Sequence, residues 1–217
     1  MGTRSFSSID RLFGEIDRAI KVLAAPAQAA RSLPTGSAAA EAAGEALSEA
    51  QRRESARLMR VNHAGEVAAQ ALYQGQALTT RQPEVAKALR HAAAEENDHL
   101  AWCEQRLREL NGRTSVLNPL WYAGSWAIGA LAGVLGREVG LGFVAETERQ
   151  VESHLRRHMQ RLGTADERSR AILDQMTHDE VQHGAQAASL GGERLPIPVA
   201  AAMRLTSRLM THGSYWL

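Results

Sequence analysis

Two Glu-x-x-His segments, Glu96 to His99 and Glu180 to His183, contain residue types that bind metal ions. Residues three positions apart lie on one face of an α-helix, so each segment presents a carboxylate and an imidazole together. Both groups are ligands for divalent transition metals. Such short pairs also occur by coincidence on solvated helix faces, so the surrounding sequence must decide between the two readings.

Long helices are predicted to carry these segments. Residues 48–51 have the form of a capping box, and the first long helix continues from there to about Leu78. Pro83 is well placed as the first residue of a second helix, which ends at residues 111–112. A third helical stretch is predicted from about 119 to 162. A second capping box at 164–167 opens a fourth helix that ends near 191–192. No segment shows the period of two that predicts a strand.

A four-helix bundle can combine these segments into one metal site. One Glu from each of two helices and a Glu-x-x-His from each of the other two form the ligand set of ferritin-like dinuclear carboxylate proteins. Four buried carboxylates carry a charge that two divalent ions would neutralise. We therefore predict an all-α, ferritin-like four-helix bundle with additional amphipathic or interfacial helices.

The sequence identifies one of the two isolated glutamates more clearly than the other. Glu66 lies in the middle of the first helix with small residues around it. On the third helix, Glu146, Glu148 and Glu152 are all candidates, and spacing alone does not decide between them, although the similarity of the two halves favours Glu148.

Several further polar residues lie near these positions. The histidines His63 and His154, the second also a candidate catalytic residue, are expected either to orient ligands or contact substrate, or to be ordinary packed side chains. The acidic residues that flank the two motifs, Glu95, Asp98 and Asp179, are expected either to be solvated or to support the ligands from behind.

Length and composition limit the other possibilities. A chain of 217 residues suits one domain, and a net charge of +1 gives no general attraction to nucleic acid. The single Cys103 excludes an internal disulfide and a cysteine-based metal cage, and its helical position predicts a packed thiol. Acidic residues in the first 34 positions argue against a secretion signal or transit peptide.

The chain is predicted to divide into three parts. Residues 1–45 form an amphipathic helix that ends near Pro26, followed by a flexible linker rich in Ala, Pro, Ser and Gly over 24–44. Residues 46–192 form the bundle and include an apolar segment at 117–136. Residues 193–217 form a C-terminal helical extension that packs on the bundle.

The apolar segment has no formal charge from 119 to 136, and it includes Trp121, Tyr122 and Trp126 with four glycines. It is too polar to span a membrane, and charged residues follow too soon, so an in-plane helix at the membrane surface is favoured. The repeats Gly129-x-x-x-Gly133 and Gly136-x-x-x-Gly140 also allow the alternative, close packing inside a bundle or a dimer.

The motifs and their flanking residues resemble the demethoxyubiquinone hydroxylases of ubiquinone biosynthesis over roughly residues 50–192. The order of the motifs, the distances between them and the apolar segment between the halves all agree with that family. The matching segments are Arg60-Val-Asn-His-Ala-Gly-Glu66, Glu96-Asn-Asp-His99, Gly136-Arg-Glu138, Glu148-Arg-Gln-Val-Glu-Ser-His154 and Asp179-Glu-Val-Gln-His183.

The resemblance implies two iron ions and six ligands. The first iron would take Glu66, Glu96 and His99, and the second would take Glu180 and His183. It also selects Glu148 among the three candidates of the third helix, with Glu96 and Glu148 between the metals as candidate bridges.

The implied reaction is hydroxylation of the ring of a demethoxyubiquinol, a 2-polyprenyl-3-methyl-6-methoxy-1,4-benzoquinol, by a di-iron monooxygenase. Dioxygen is the co-substrate, and the electrons come ultimately from NADH. Because the substrate is a membrane solute, we expect a peripheral protein at the cytoplasmic face of the bacterial inner membrane. Expected partners are the polyprenyl quinol, the membrane surface, and either a second copy or other ubiquinone-biosynthesis proteins.

Other readings share parts of this pattern. Another bundle-type di-iron quinol oxidase would use the same metal chemistry without inserting oxygen into the ring. A ferritin-like iron-binding protein would use similar ligands to store iron, and a structural bundle would bind no metal at all.

Overall fold

The computed structural model describes residues 8–36 and 47–217, and all regular secondary structure within these ranges is helical. The predicted all-α, ferritin-like bundle is thereby confirmed, whereas the predictions for residues 1–7 and 37–46 lie outside the described residues. The helices of the described part are α1 (Ser8–Ala24), α2 (Glu49–Thr79), α3 (Pro83–Glu109), α4 (Asn118–Val134), α5 (Arg137–Leu162), α6 (Glu167–Ser189) and α7 (Ile197–Trp216).

Two helical hairpins form the bundle. A short connection joins α2 to α3, and another joins α5 to α6, so each pair runs antiparallel. Helix α4 lies along α2, helix α1 contacts α2 and α4, and helix α7 contacts α2 and α5. The four long helices therefore enclose a common interior, while α1, α4 and α7 pack on its outside.

The interior contains two apolar layers. On each long helix, the acidic and histidine residues of interest fall between a residue of one layer and a residue of the other. The site consequently lies between two dry layers that exclude water from both ends. One layer includes Met59, Trp102, Cys103, Leu155, Ile172 and Met176, and the other includes Leu72, Tyr73, Leu89, Leu141, Val144 and Ala187.

Capping hydrogen bonds and a proline determine where three of the long helices begin. The Ser48 side chain accepts a hydrogen bond from the backbone of Gln51, whose own side chain accepts one from the backbone of Ser48, as predicted. Pro83 occupies the first turn of α3, as predicted. The predicted second capping box is wrong: Asp166 caps α6 by accepting from the backbone of Ser169, because Arg106 holds that carboxylate at 2.9 Å.

The single third stretch predicted from 119 to 162 is also wrong, because it is two helices. The chain breaks at Gly136, whose φ of 105° lies in a region that other residues rarely adopt. The break changes the direction of the chain between the apolar helix α4 and the helix α5 that carries Glu148.

Helix α4 presents glycines to the bundle and apolar residues to the exterior. A Cβ atom on Gly129 would lie 2.1 Å from the Leu72 carbonyl oxygen, so only glycine permits this approach of α4 to α2. On the opposite side, Leu120 and Leu131 are about three-fifths exposed. None of the helices in the described ranges combines the length and the apolar character that crossing a membrane requires.

The segment after α1 differs from the predicted flexible linker. Residues 27–31 are hydrogen bonded to the bundle: Ala27 donates to Glu104, and Ala30 donates to Asp98. Their composition resembles that of a linker, but their partners are acidic side chains far away along the sequence. This part of the chain is therefore a strap across the bundle rather than a free tether.

Candidate metal centre

Six side chains from four helices meet between the two apolar layers. They are all buried, with at most 6% of any residue exposed. Glu146 and Glu152, the competing candidates on α5, instead form ion pairs with the nearby Arg149 and Arg156. The residues that meet are Glu66 from α2, Glu96 and His99 from α3, Glu148 from α5, and Glu180 and His183 from α6.

Their atoms form two groups that each fit one ion. Within each group, one atom from every residue lies within 4.8 Å of the others. The first group is Glu66, Glu96, His99 and Glu180; the second is Glu148, Glu180 and His183.

The residue common to both groups is Glu180, which differs from the bridging role expected for Glu148. The Nδ1 atoms of His99 and His183 each lie 3.4 Å from a different oxygen of Glu180. Glu96 also contacts both imidazoles, with oxygens 2.9 Å from His99 Nδ1 and 3.4 Å from His183 Nδ1. Glu180 and Glu96 are therefore the carboxylates placed to lie between two ions.

Several ligand atoms in this site have no hydrogen-bond partner, although they are buried. A buried polar atom normally has a partner, and a carboxylate oxygen without one costs folding free energy. Carboxylate oxygens and imidazole nitrogens also form the donor set that iron in its common oxidation states accepts. Divalent cations would satisfy all of these atoms at once, so the residues fit a pair of metal ions. The unpartnered atoms are Glu66 Oε2, Glu96 Oε1, both oxygens of Glu148 and of Glu180, and His183 Nδ1.

The pKa values of the four carboxyl groups shift in two opposite directions. Burial raises the pKa of Glu66 and of Glu148 well above the usual glutamate value, and the neighbouring carboxylates raise it further. Burial alone would also raise the pKa of Glu96 and Glu180, but the nearby imidazoles of His99 and His183 bring it below the usual value. Without metal, these shifts favour the protonated form of Glu66 and Glu148 and the ionised form of Glu96 and Glu180.

The imidazoles balance the ionised pair. Burial opposes the charge on His99, but Glu96 and Asp179 raise its pKa well above the usual value. Burial likewise opposes the charge on His183, while the nearby carboxylates of Glu180 and Glu96 raise its pKa to about 12. Binding of two divalent ions would therefore displace protons from both imidazoles and from the two protonated carboxyl groups.

Each histidine is held from behind by an acidic residue of the opposite motif. His99 Nε2 lies 2.9 Å from Asp179, which directly precedes Glu180. His183 Nε2 lies 2.8 Å from Glu95, which directly precedes Glu96. These contacts leave both Nδ1 atoms facing the carboxylates. The signal in the sequence is the acidic residue before each Glu-x-x-His, which the sequence left undecided between a solvated and an orienting role.

The two other histidines lie outside both groups. His63 is buried, with Nδ1 3.3 Å from the Asn118 side chain and Nε2 3.5 Å from Glu104. The His154 ring packs against that of His158, with centroids 3.9 Å apart and planes tilted by 57°, and burial lowers the pKa of His154 to about 4. The structure thus places neither residue among the ligand atoms.

A cavity of about 670 Å³ lies between α1, α2 and α3. Tyr73, on its wall, lies two turns beyond Glu66 on α2, and its hydroxyl is buried without a hydrogen-bond partner. A second, shallow crevice of about 20 Å³ touches both Tyr73 and His183. Tyr73 therefore stands between a surface cavity and the candidate metal ligands.

Comparison with known proteins gives one family and closely similar relatives. The family described as Ubiquinone biosynthesis protein COQ7 matches residues 53–214. The 3-demethoxyubiquinol 3-hydroxylase of Bordetella parapertussis is 56% identical over 214 residues, which cover 99% of this chain and 95% of that protein. The proteins of the same name from Ralstonia pickettii and Nitrosomonas europaea are 55% and 54% identical, with 95% and 97% of this chain and 99% of each relative covered.

Proposed function

The chain belongs to the COQ7 family of ubiquinone biosynthesis proteins, and from that premise we propose that it hydroxylates the ring of a demethoxyubiquinol at a centre of two iron ions. The resemblance of the sequence to demethoxyubiquinone hydroxylases is confirmed by the family match and by the names of the relatives. The identity of the metal and the roles of individual residues belong to the proposal.

One observation carries the metal part of the proposal: four carboxylates and two imidazoles are buried together, and several of their atoms lack hydrogen-bond partners. A structural bundle would gain nothing from such an arrangement, since apolar residues of similar volume pack without unsatisfied atoms. The proposed ligands are Glu66, Glu96, His99, Glu148, Glu180 and His183.

When bound, two iron ions supply the electrons and the Lewis acidity that activate dioxygen, with electrons restored ultimately from NADH. The four carboxylates would neutralise the ions, and Glu96 and Glu180 contact the imidazoles of both halves. Asp179 and Glu95 hold the imidazole rings from behind. The apolar layers above and below keep water away from the reacting groups.

The cavity beside Tyr73 is the proposed route for the quinol ring. Its volume of about 670 Å³ lies within the range of pockets that hold small organic ligands. The unpartnered hydroxyl of Tyr73 supplies a donor for a ring oxygen of the substrate, on the same helix as the candidate ligand Glu66. The ring would approach the metals there with its polyprenyl tail directed outward.

Two neighbouring helices provide the proposed membrane surface. The Trp126 indole on α4 donates to Glu15 on α1 at 3.3 Å, so the two helices lie side by side. Phe13 and Ile20 on α1 are more than half exposed, as is Leu131 on α4. An in-plane position of both helices fits this pattern and gives a membrane-dissolved quinol access to the protein. We therefore place the protein peripherally at the cytoplasmic face of the bacterial inner membrane.

Iron stoichiometry tests the metal part of the proposal. Purified protein loaded anaerobically with Fe(II) is expected to retain two iron atoms per chain, and Glu148→Ala is expected to lose at least one of them. Glu152→Ala is the matched control, because Glu152 lies one turn away on α5 and pairs with Arg156. Equal iron content in both variants would contradict the assignment, and many iron atoms per chain would favour a storage protein.

Vesicle flotation tests the membrane part. Leu131→Glu is expected to reduce binding to vesicles that contain a long-tailed quinol, because a charge replaces an exposed apolar side chain. Gln105→Glu adds the same charge to an exposed position on α3. If the two variants float alike with the wild type, α4 does not contact the membrane.

A further inference from the structure

Residues 27–31, the strap that follows α1, cross the outside of the bundle behind the first metal group. Within the strap, the Ala30 backbone donates to Asp98 at 2.6 Å, and the Gln28 carbonyl accepts from the Asn97 side chain at 2.5 Å. Both partners lie on α3, within two positions of His99. The strap is therefore bound to the helix segment that carries a candidate metal ligand.

Arg31 at the end of the strap joins two helices of the bundle. Its Nε donates to Asp98 on α3 at 2.6 Å, and its Nη1 donates to Asp179 on α6 at 2.8 Å. The guanidinium carbon also lies 4.8 Å from the centre of the Trp102 ring. A planar guanidinium can make all three contacts at once, whereas an ammonium group offers a single point charge.

The Asp179 oxygen that accepts from Arg31 is also the one that His99 Nε2 contacts at 2.9 Å. The other Asp179 oxygen accepts from Gln175 at 2.9 Å. Arg31 and Gln175 together set the position of this carboxylate, and the carboxylate sets the rotation of the His99 ring. With Nε2 directed at Asp179, the Nδ1 atom of His99 faces Glu66, Glu96 and Glu180.

We propose that Arg31 is a positioning residue for the metal centre, which acts through Asp179 to hold the His99 ring toward the first metal ion. This inference rests on the proposed function, because it requires that His99 binds a metal. It adds that the N-terminal strap is part of the apparatus that holds the ligands. Loosening the strap would therefore weaken the binding of the metal ion beside His99. Binding of the ion beside His183 would change less, because Glu95 supports that histidine.

Co(II) titration of the metal-free, full-length protein tests this proposal, because Co(II) absorption reports the ligand geometry without turnover. For Arg31→Ala we expect about tenfold weaker binding of one Co(II) ion and a change in its absorption band, with the second ion affected less than about twofold. Asp179→Ala is expected to give at least the same loss. Adding Arg31→Ala to Asp179→Ala should cause little further change, because the first residue acts through the second.

Arg53→Ala is the matched control, since Arg53 is exposed and forms only a local pair with Glu49. If Arg31→Ala does not fold, Arg31→Lys serves in its place, because lysine keeps the charge but cannot hold both aspartates. Unchanged affinity and spectrum in the variant that folds would overturn the proposal, as would a full additional loss in the Asp179→Ala background. Failure of the wild type to bind two ions would instead contradict the proposed function.

Discussion

His99 and His183 occupy corresponding places in the two halves of the centre, yet their surroundings differ. His99 is fully buried, and the carboxylate behind it is held by Arg31 and Gln175. His183 is slightly exposed, and the carboxylate behind it, Glu95, has a side chain that is 32% exposed.

The two halves of the centre differ in how accessible they are from outside the bundle. The His99 half is closed by the strap and by the Trp102 ring, 5.4 Å from the imidazole. The His183 half borders the shallow crevice that Tyr73 also lines. A rigid, dry half and a more accessible half suit a site that must hold metal firmly and still admit dioxygen and a quinol ring.

The largest effect is expected where the halves meet. Glu180→Ala removes the carboxylate common to both groups and should abolish binding of both ions, with activity reduced by more than the roughly 10–100-fold typical of outer partners. Metal analysis and turnover after gel filtration measure both effects. Asp174→Ala, an exposed change on the same helix, should leave both intact. Two retained ions in Glu180→Ala would show that the halves do not share this ligand.

Removal of the two outer carboxylates should affect the halves unequally. Asp179→Ala is expected to weaken metal binding toward the upper end of about 10–100-fold, and Glu95→Ala toward the lower end, because water can replace the more exposed Glu95. Parallel Co(II) titrations measure the difference. A larger loss in Glu95→Ala would reverse the assignment of the rigid and accessible halves.

The halves should respond alike to pH when metal is absent. Burial raises the pKa of Glu66 in one half and of Glu148 in the other above the unfolded value of 4.5, so the folded state binds more protons than the unfolded state. This contribution is fully present below pH 4.5 and is lost as pH rises through the folded pKa. Each proton changes the unfolding free energy by up to about 1.4 kcal/mol per pH unit.

Urea unfolding between pH 5 and pH 8 measures this contribution as the difference in stability between the wild type and each glutamine variant, because His154, whose pKa burial lowers, adds an opposite slope to all of them. As pH rises, the metal-free wild type should lose stability relative to Glu66→Gln and to Glu148→Gln by similar amounts, since neither glutamine titrates. No relative loss against either variant would show that neither carboxyl group holds a proton in the folded protein.

The smallest effect is expected from the outermost partner of the accessible half. His91 Nε2 lies 3.8 Å from Glu95, and the His91 side chain is 67% exposed. His91→Ala should change metal affinity by less than about twofold, because an exposed ion pair contributes little. If His91→Ala weakened metal binding as much as Arg31→Ala, the residues behind Glu95 and behind Asp179 would contribute equally to metal affinity.

Some features of the two halves could be predicted from the sequence, and others could not. The two Glu-x-x-His segments and the starts of α2 and α3 depend on local signals: helical spacing, a capping box at Ser48 and a proline at position 83. Each of these signals is contained in a short stretch of neighbouring residues, so the sequence alone shows it. The break at Gly136 and the cap at Asp166 were missed, because a glycine is compatible with a continuing helix and the cap depends on Arg106, 60 residues away.

The strap was missed for the same reason. Its alanines and the prolines on either side of it resemble a linker, and the partners of Arg31 lie 67 and 148 residues away in the sequence. Only the packed bundle brings Asp98 and Asp179 together. The six candidate ligands could thus be named from the sequence and its family resemblance, whereas the contacts that distinguish their two halves could not.

The most direct test of the proposed function uses protein loaded with Fe(II), a demethoxyubiquinol and dioxygen labelled with oxygen-18. Mass analysis of the product is expected to show one labelled oxygen atom on the ring, and Glu148→Ala should yield no labelled product. Oxidation of the quinol to the quinone without incorporation of label would contradict the account and would identify the protein as an oxidase.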